Sequence, residues 1–324
     1  MRKILTLLAI FIAGVSQAQY QIIIHGGAGN GLRSDRLSKE QIDEFHLSLE
    51  QALRIGDSAQ QAGLSALETV SLVIQSMENN PVFNAGKGAV LTYEGQASLD
   101  ASIMDGSNLA AGAVAGLSCI KNPITAALAV LESSPHVLLS GPGADSFAVA
   151  MELTKVDPSY FITESKIKGW KRWLKSHSYA DTLRDFKMGT VGCVVRDREG
   201  NIAAGTSTGG MMGKRHGRIG DSPVIGAGTY ANSKTVGISC TGHGEFFIRN
   251  AVAYQISARY ELQEQNGQKM ADWVVQKILK EQGGDGGVIG IDAQGGLIVS
   301  FNTAGMLRGS IKEGEAPQTR IFKD

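Results

Sequence analysis

Apolar and polar positions repeat with two different periods along this chain, and the change of period marks its elements. A short apolar run at 20–24 predicts a strand, which leads into a loop, His25-Gly26-Gly27-Ala28-Gly29-Asn30-Gly31. Ser38 followed by Gln41 forms a capping box, and Ile42, Phe45, Leu49, Ala52 and Leu53 continue it at helical spacing. Ser65 and Glu68 repeat the signal ahead of Leu67, Val70, Leu72, Val73 and Met77. Asn122 and Pro123, as cap and first residue, open a helix to about Glu132, and another helix is expected at 145–153. Between these helices the glycine-punctuated apolar stretch 84–117 reads as strands, with a turn at Asp105-Gly106. Periodicity fades over 156–188, where Trp170 and Trp173 stand alone among scattered lysines, and a mobile linker with one loose helix is expected. The pattern then sharpens: strands at 190–196 and 202–208 around a turn, a strand at 235–240, helices at 245–264 and 270–281, and a hairpin over 288–302. This succession predicts sheets layered with helices in an α/β chain.

Composition narrows the picture. The chain has 324 residues with 41 glycines but only 7 prolines, which points to close backbone approach around a buried site rather than to a flexible linker protein. Basic and acidic residues balance at 31 each, which speaks against a nucleic-acid groove or an anionic-membrane surface. Arg2 and Lys3, an apolar run at 4–15 and the small residues of Ser16-Gln17-Ala18 read as an export signal over 1–18, cut before Gln19. The expected destination is outside the cytoplasm, in the periplasm, with no membrane contact after the signal is removed. Cys119, Cys193 and Cys240 are an odd number and do not form a fully paired framework; Cys193 and Cys240 fit buried strand positions. Cys240 and His243 are three apart, but no second ligand pair follows, so zinc is not expected.

Four stretches carry candidate chemistry. Gly205-Thr206-Ser207-Thr208-Gly209 matches the G-x-S-x-G elbow, with Asp221 and His243 in the chain order of a serine triad. The elbow needs a helix next, and a glycine-rich loop follows instead, so a serine hydrolase is the weaker reading. Gly226-Ala227-Gly228-Thr229-Tyr230-Ala231 matches a dinucleotide fingerprint, without the helix or the downstream acid that would use it. Gly217-Arg218-Ile219-Gly220-Asp221-Ser222-Pro223 puts a guanidinium and a carboxylate three residues apart, suited to the two ends of an α-amino acid or to a simple surface ion pair. A non-enzymatic amino-acid-binding module would need only that pair. Thr190 opens a strand directly after Gly189; it is either an ordinary strand former or an N-terminal nucleophile made by self-cleavage. In the second case its free α-amine, with an ordinary pKa of about 7.7–8.0, serves as general base for its own hydroxyl.

Taken in order, His25-Gly26-Gly27-Ala28-Gly29, Gly189-Thr190-Val191-Gly192, Thr206-Ser207-Thr208-Gly209-Gly210, the Arg218 and Asp221 loop, Gly226 to Ala231, Cys240-Thr241-Gly242-His243-Gly244-Glu245 and Phe301-Asn302-Thr303-Ala304-Gly305-Met306 form a set. That set resembles the plant-type L-asparaginase and isoaspartyl peptidase family of N-terminal-nucleophile hydrolases. The resemblance implies a four-layer αββα sandwich and a cut between Gly189 and Thr190, giving an α subunit of 19–189 and a β subunit of 190–324. It implies small-molecule substrates, L-asparagine or β-aspartyl peptides, attacked by Thr190 to give a β-aspartyl ester and then L-aspartate. Thr208 would hydrogen-bond the nucleophile, Thr241 and Gly242 would stabilise the oxyanion, Arg218 would bind the substrate carboxylate and Asp221 its ammonium. It further implies no catalytic cofactor, a structural sodium ion held by backbone carbonyls of Met77, Glu78, Asn80, Phe83, Ala85 and Lys87, and a dimer of αβ units. The glycosylasparaginase branch is the alternative, but it typically carries Thr-Asn-Gly where this chain has Thr208-Gly209-Gly210. His243 either touches a leaving group or only faces solvent, the second being the expectation, and Met211 and Met212 leave the leaving-group preference open.

Overall fold

A computed structural model describes residues 19–176, 189–263 and 266–323. The expected export signal and the 177–188 part of the expected linker lie outside the described residues. In chain order the elements are β1 (Gln21–Gly29), α1 (Lys39–Gln61), α2 (Ala66–Glu78), β2 (Leu99–Asp105), β3 (Ala111–Leu117), α3 (Pro123–Ser133), β4 (Leu138–Ser140), α4 (Gly141–Ala150) and α5 (Glu164–Ser176). There follow β5 (Val191–Arg196), β6 (Ile202–Thr208), β7 (Thr229–Ala231), β8 (Val236–Gly242), α6 (Gly244–Arg249), α7 (Val252–Leu262), α8 (Gly267–Asp272), β9 (Gly286–Asp292), β10 (Leu297–Phe301), β11 (Gly305–Lys312) and β12 (Gln318–Phe322). Both capping boxes form, with Ser38 and Ser65 accepting from the third helical N–H and Gln41 and Glu68 reaching back. Each such cap contributes about 1 kcal/mol to its helix.

The described residues make a mixed α/β structure with two sheets. One runs β12-β11-β1-β5-β6-β2-β3-β4 and the other β10-β9-β8-β7. Apolar side chains collect in three cores. Ile22, Ile24, Val191, Cys193 and Val195 pack against Leu53, Val70 and Ile74 of α1 and α2 on one side of the large sheet. Ile23, Val194, Ile202 and Ala204 meet Ile289, Ile291 and Phe301 between the two sheets. Val236, Ile238 and Cys240 pack under Ile256, Tyr260, Val274 and Val275 on the far side of the small sheet. The split of β1 and β5 between two cores follows the period-two alternation of a strand. No helix among the described residues is long and apolar enough to cross a membrane.

Several elements differ from the sequence reading. β1 runs on through the expected loop to Gly29, because past His25 it still pairs with β11, Gly27 opposite Leu307 and Gly29 opposite Gly305. The expected strands over 84–98 are instead irregular, with one 3₁₀ turn at Gly86–Gly88; pairing begins at Leu99. The single helix expected over 245–264 is broken at Ala251, whose backbone is left-handed (φ 43°). The next helix widens into a π turn over Trp273–Leu279. The sequence pattern predicts no strand where β4, β7, β11 and β12 form. The loose helix in the linker is α5, which carries no buried residue, yet its Trp170 and Trp173 lie against Gly95 and Gly213.

Candidate active site

The site grows out of the start of β5 and the end of β6. Val191 pairs with Ser207 and Gly192 with Thr206, which sets Thr190 beside Thr208. Even-numbered positions of both strands face the layer between the sheets, so Thr190, Thr206 and Thr208 share a face and Ser207 looks the other way. Thr190 is buried, and its hydroxyl donates to Thr208 Oγ1 at 3.1 Å. Thr208 Oγ1 also accepts from the Gly210 N–H at 2.9 Å and lies 3.5 Å from the Gly189 carbonyl, toward which its own proton points. The Thr190 side chain and the preceding carbonyl thus meet the same hydroxyl. Gly27 closes over this junction: it sits at φ +109°, and a Cβ there would lie 2.6 Å from the Gly189 Cα.

A small cavity of about 20 Å³, room for roughly one water, adjoins Thr190. Gly189, Thr208, Met211, Arg218, Asp221 and Gly242 share its wall. Asp221 is buried with Oδ2 lacking any hydrogen-bond partner among the described residues. Burial pushes its pKa up to about 7, against the lowering pull of Arg218. Arg218 forms a two-pronged pair with Glu245, Nε to Oε1 and Nη2 to Oε2, both at 3.0 Å. Burial alone would raise the Glu245 pKa, but the hydrogen bond and charge of Arg218 outweigh it and hold the carboxyl below its ordinary value. Beneath, Lys214 Nζ donates to the Ser98 carbonyl at 2.9 Å and pairs with Asp100 at 3.5 Å in a fully buried position. The Arg218 and Asp221 pair is therefore not a simple surface ion pair: its acid is inside, facing a cavity that also touches Thr190.

Thr241 lies at the end of β8 on the inner face and accepts from the Ala28 N–H at 3.4 Å, while Gly242 reaches the cavity wall. Ser207 is buried on the opposite face and donates to Glu78 Oε1 at 2.6 Å; Asp221 and His243 do not assemble with it, so the serine-triad reading falls. His243 is half-buried rather than solvent-facing, stacks on Phe246 at 5.8 Å and bonds the Asp285 backbone. Met211 borders the cavity and Met212 packs toward Gly169 of α5. Sequence reasoning gave no role to Glu245, nor to Asn84, which ties the loop after β6 by donating to the Gly210 carbonyl at 2.8 Å and accepting from the Gly209 N–H through its own carbonyl. Both act on residues more than 25 positions away, where no local pattern records the contact. The segment with Met77, Glu78, Asn80, Phe83, Ala85 and Lys87 forms a tight loop at the end of α2. In it the Met77 carbonyl accepts from the Asn79 and Asn80 N–H groups, and the Asn80 and Ala85 carbonyls accept from Phe83 and Gly88.

This arrangement of a strand-leading threonine, a second threonine and an amino-acid-sized polar pair defines an amidohydrolase-like site, and the family comparison agrees. The family described as asparaginase matches residues 18–321, and the chain belongs to it. An isoaspartyl peptidase of Salmonella typhimurium is 44% identical over 312 residues, covering 94% of this chain and 98% of that protein. An isoaspartyl peptidase of Escherichia coli is 43% identical over 309 residues, covering 94% and 96%. A plant-type L-asparaginase of Thermococcus kodakarensis is 38% identical over 309 residues, covering 90% and 96%.

Proposed function

We propose that this protein is a self-cleaving threonine amidohydrolase that hydrolyses the side-chain amide of L-asparagine and of β-aspartyl dipeptides. The observation that carries the reading is the single cavity bordered both by Thr190 and by the Arg218 and Asp221 pair. In the precursor the Thr190 hydroxyl attacks the Gly189 carbonyl. The acyl group moves from nitrogen to oxygen, and water then hydrolyses the ester, leaving a Gly189 carboxylate and a free Thr190 amine. Gly189 borders the cavity, so its departure makes room for substrate.

In the mature enzyme the α-amine takes the Thr190 hydroxyl proton as the oxygen adds to the substrate side-chain carbonyl. The Thr241 hydroxyl and Gly242 N–H stabilise the oxyanion; losing one such donor typically lowers the rate by about 10²–10³. The α-ammonium passes that proton to the substrate's scissile nitrogen, which leaves as ammonia or the peptide amine; a β-aspartyl ester remains on Thr190, and water then adds to it, releasing aspartate and restoring the hydroxyl. Thr208 aligns Thr190, Arg218 binds the α-carboxylate, and the open oxygen of Asp221 takes the α-ammonium. Thr208-Gly209-Gly210 and the relatives named above disfavour glycosylated asparagine as substrate.

The wider reading joins this one. The three apolar cores support a four-layer αββα sandwich. The carbonyls of the 77–87 loop offer neutral oxygens that fit a structural monovalent cation such as sodium: Glu78 O and Phe83 O crowd the backbone of Gly86 and Gly88, where a Cβ would collide with them. Residues 1–18 direct export to the periplasm, and the mature protein is a dimer of αβ units. The deciding experiment is Thr190→Ala. We expect one uncut band on a denaturing gel and no aspartate release from asparagine or β-aspartyl dipeptides, where the parent gives two bands and turnover. A cut or active Thr190→Ala protein contradicts the reading.

A further inference from the structure

His25 lies in β1, between β11 and β5, and has no part in the mechanism above. It is fully buried, opposite Gly192 in the register of β1 and β5, with Nδ1 3.0 Å from the Thr190 carbonyl and Nε2 3.0 Å from Ser239 Oγ. A carbonyl only accepts, so Nδ1 carries the proton. Burial holds the ring neutral, with its pKa near 3, so Nε2 is bare and accepts from the Ser239 hydroxyl. Ser239, having donated to His25, accepts from Thr206 at 2.6 Å. Thr206 in turn accepts from Thr229 at 2.6 Å, and Ser102 Oγ lies 2.8 Å from Thr229 Oγ1. All of these residues are buried between the two sheets, and each comes from a different strand: β1, β8, β6, β7 and β2. The Thr190 carbonyl, which cannot donate, sets the proton direction at the His25 end; at the other end Ser102 donates to the Ser222 carbonyl at 2.6 Å, and the Gly228 and Ser222 carbonyls lie 3.2 and 3.5 Å from the Thr206 and Thr229 hydroxyls. Gly192 makes the approach possible, because a Cβ there would overlap both Ser239 Oγ and His25 Nε2.

We infer that His25 is a positioning residue for the nucleophile: its Nδ1–H, oriented by the Ser239, Thr206 and Thr229 hydroxyls, fixes the Thr190 carbonyl and hence the direction of the Thr190 α-amine. The inference rests on the reading of Thr190 as an N-terminal nucleophile. The amine and the carbonyl hang from one α-carbon, so holding the carbonyl leaves the amine a narrow arc in which to meet the hydroxyl it must deprotonate. Substrate binding lies elsewhere, at Arg218 and Asp221.

The test compares His25→Asn with His25→Gln in the self-processed enzyme, with cleavage, kcat and KM for asparagine measured separately. An asparagine amide places its N–H where Nδ1 stands; a glutamine places its polar end where Nε2 stands. His25→Gln is expected to lower kcat about 10–100-fold with KM within about twofold, the size of effect a small misplacement produces. His25→Asn is expected to recover most of that loss, and Ser239→Ala to lower kcat in the same direction. Nitrogen NMR of the parent enzyme, which needs no variant to fold, should show His25 as the neutral Nδ1–H tautomer. An Nε2–H tautomer, an unchanged kcat in His25→Gln, or an equal loss in Asn and Gln would overturn the inference while leaving the nucleophile in place. Activity of parent enzyme whose Thr190 is still acylated would instead remove the reading beneath it.

Discussion

Asp221 and Glu78 are both buried and both pushed upward by that burial, yet they are built for different ends. Glu78 rises to about 8; its Oε2 also lacks a hydrogen-bond partner among the described residues, but Oε1 accepts from Ser207 and from the Ile124 N–H, and away from the Thr190 cavity it serves as a structural tie between β6, α2 and α3. Asp221 rises to about 7 with an oxygen left open toward the Thr190 cavity. Between an unfolded value of about 4 and about 7 the folded protein keeps a proton on Asp221 that the unfolded chain has released, so this residue's contribution to stability falls as pH rises through that window. Asp221→Asn should flatten that fall in melting curves recorded from pH 4 to 8. An arriving ammonium favours the ionised carboxylate, so the KM for asparagine should drop as pH rises through about 7 in the parent and not in Asp221→Asn. Ser207→Ala should cost about 1 kcal/mol, the worth of one hydrogen bond, and leave turnover intact; a loss of activity in that variant would revive the serine reading. At this scale much was legible. The period of two already separates Ser207 from Thr206 and Thr208. His25 and Glu245 were not legible, because their partners Ser239 and Arg218 lie far along the chain.

Local signals decide an element only when tertiary pairing agrees with them. The capping boxes at Ser38 and Ser65 and the Asn122-Pro123 opening are short-range, and those helices begin where the sequence says. The glycines after His25 read as a loop, yet β1 continues through them because β11 supplies a partner from nearly three hundred residues away. β11 carries no clear strand pattern because a buried Arg308 interrupts its apolar run; its guanidinium lies 4.9 Å from the Phe301 ring centre and donates to the Met306 and Phe322 carbonyls. The break between α6 and α7 is equally hidden, since alanine is a strong helix former and Ala251 nevertheless stands at φ 43°. A left-handed non-glycine backbone is strained by about 1–2 kcal/mol. Ala251→Gly should therefore raise the unfolding free energy by roughly 0.5–1 kcal/mol after the added freedom of the unfolded chain is subtracted, as measured by denaturant titration. A destabilised Ala251→Gly would show that the turn is held by something other than backbone preference.

Across the whole molecule, the proposed cut falls between two halves that share one sheet. The part before Gly189 supplies β1 to β4 and the part after it β5 to β12, yet β1 lies between β11 and β5, and β2 pairs with β6. Breaking the junction removes one peptide bond and no strand pairing, so the two pieces should co-elute on size exclusion at the mass of the uncut protein and separate only in denaturant. The sequence motifs could be set in order without the fold, but the strand order could not, because pairings such as Gln21 with Lys312 leave no trace in either neighbourhood. The central claim is that the catalyst is the amine and hydroxyl of one residue. The most direct measurement is N-terminal sequencing of the smaller polypeptide from fully active enzyme, paired with its intact mass. Threonine, then valine, then glycine, with a mass ending at Asp324, is the predicted result. Active enzyme in which Thr190 remains joined to Gly189 would contradict it.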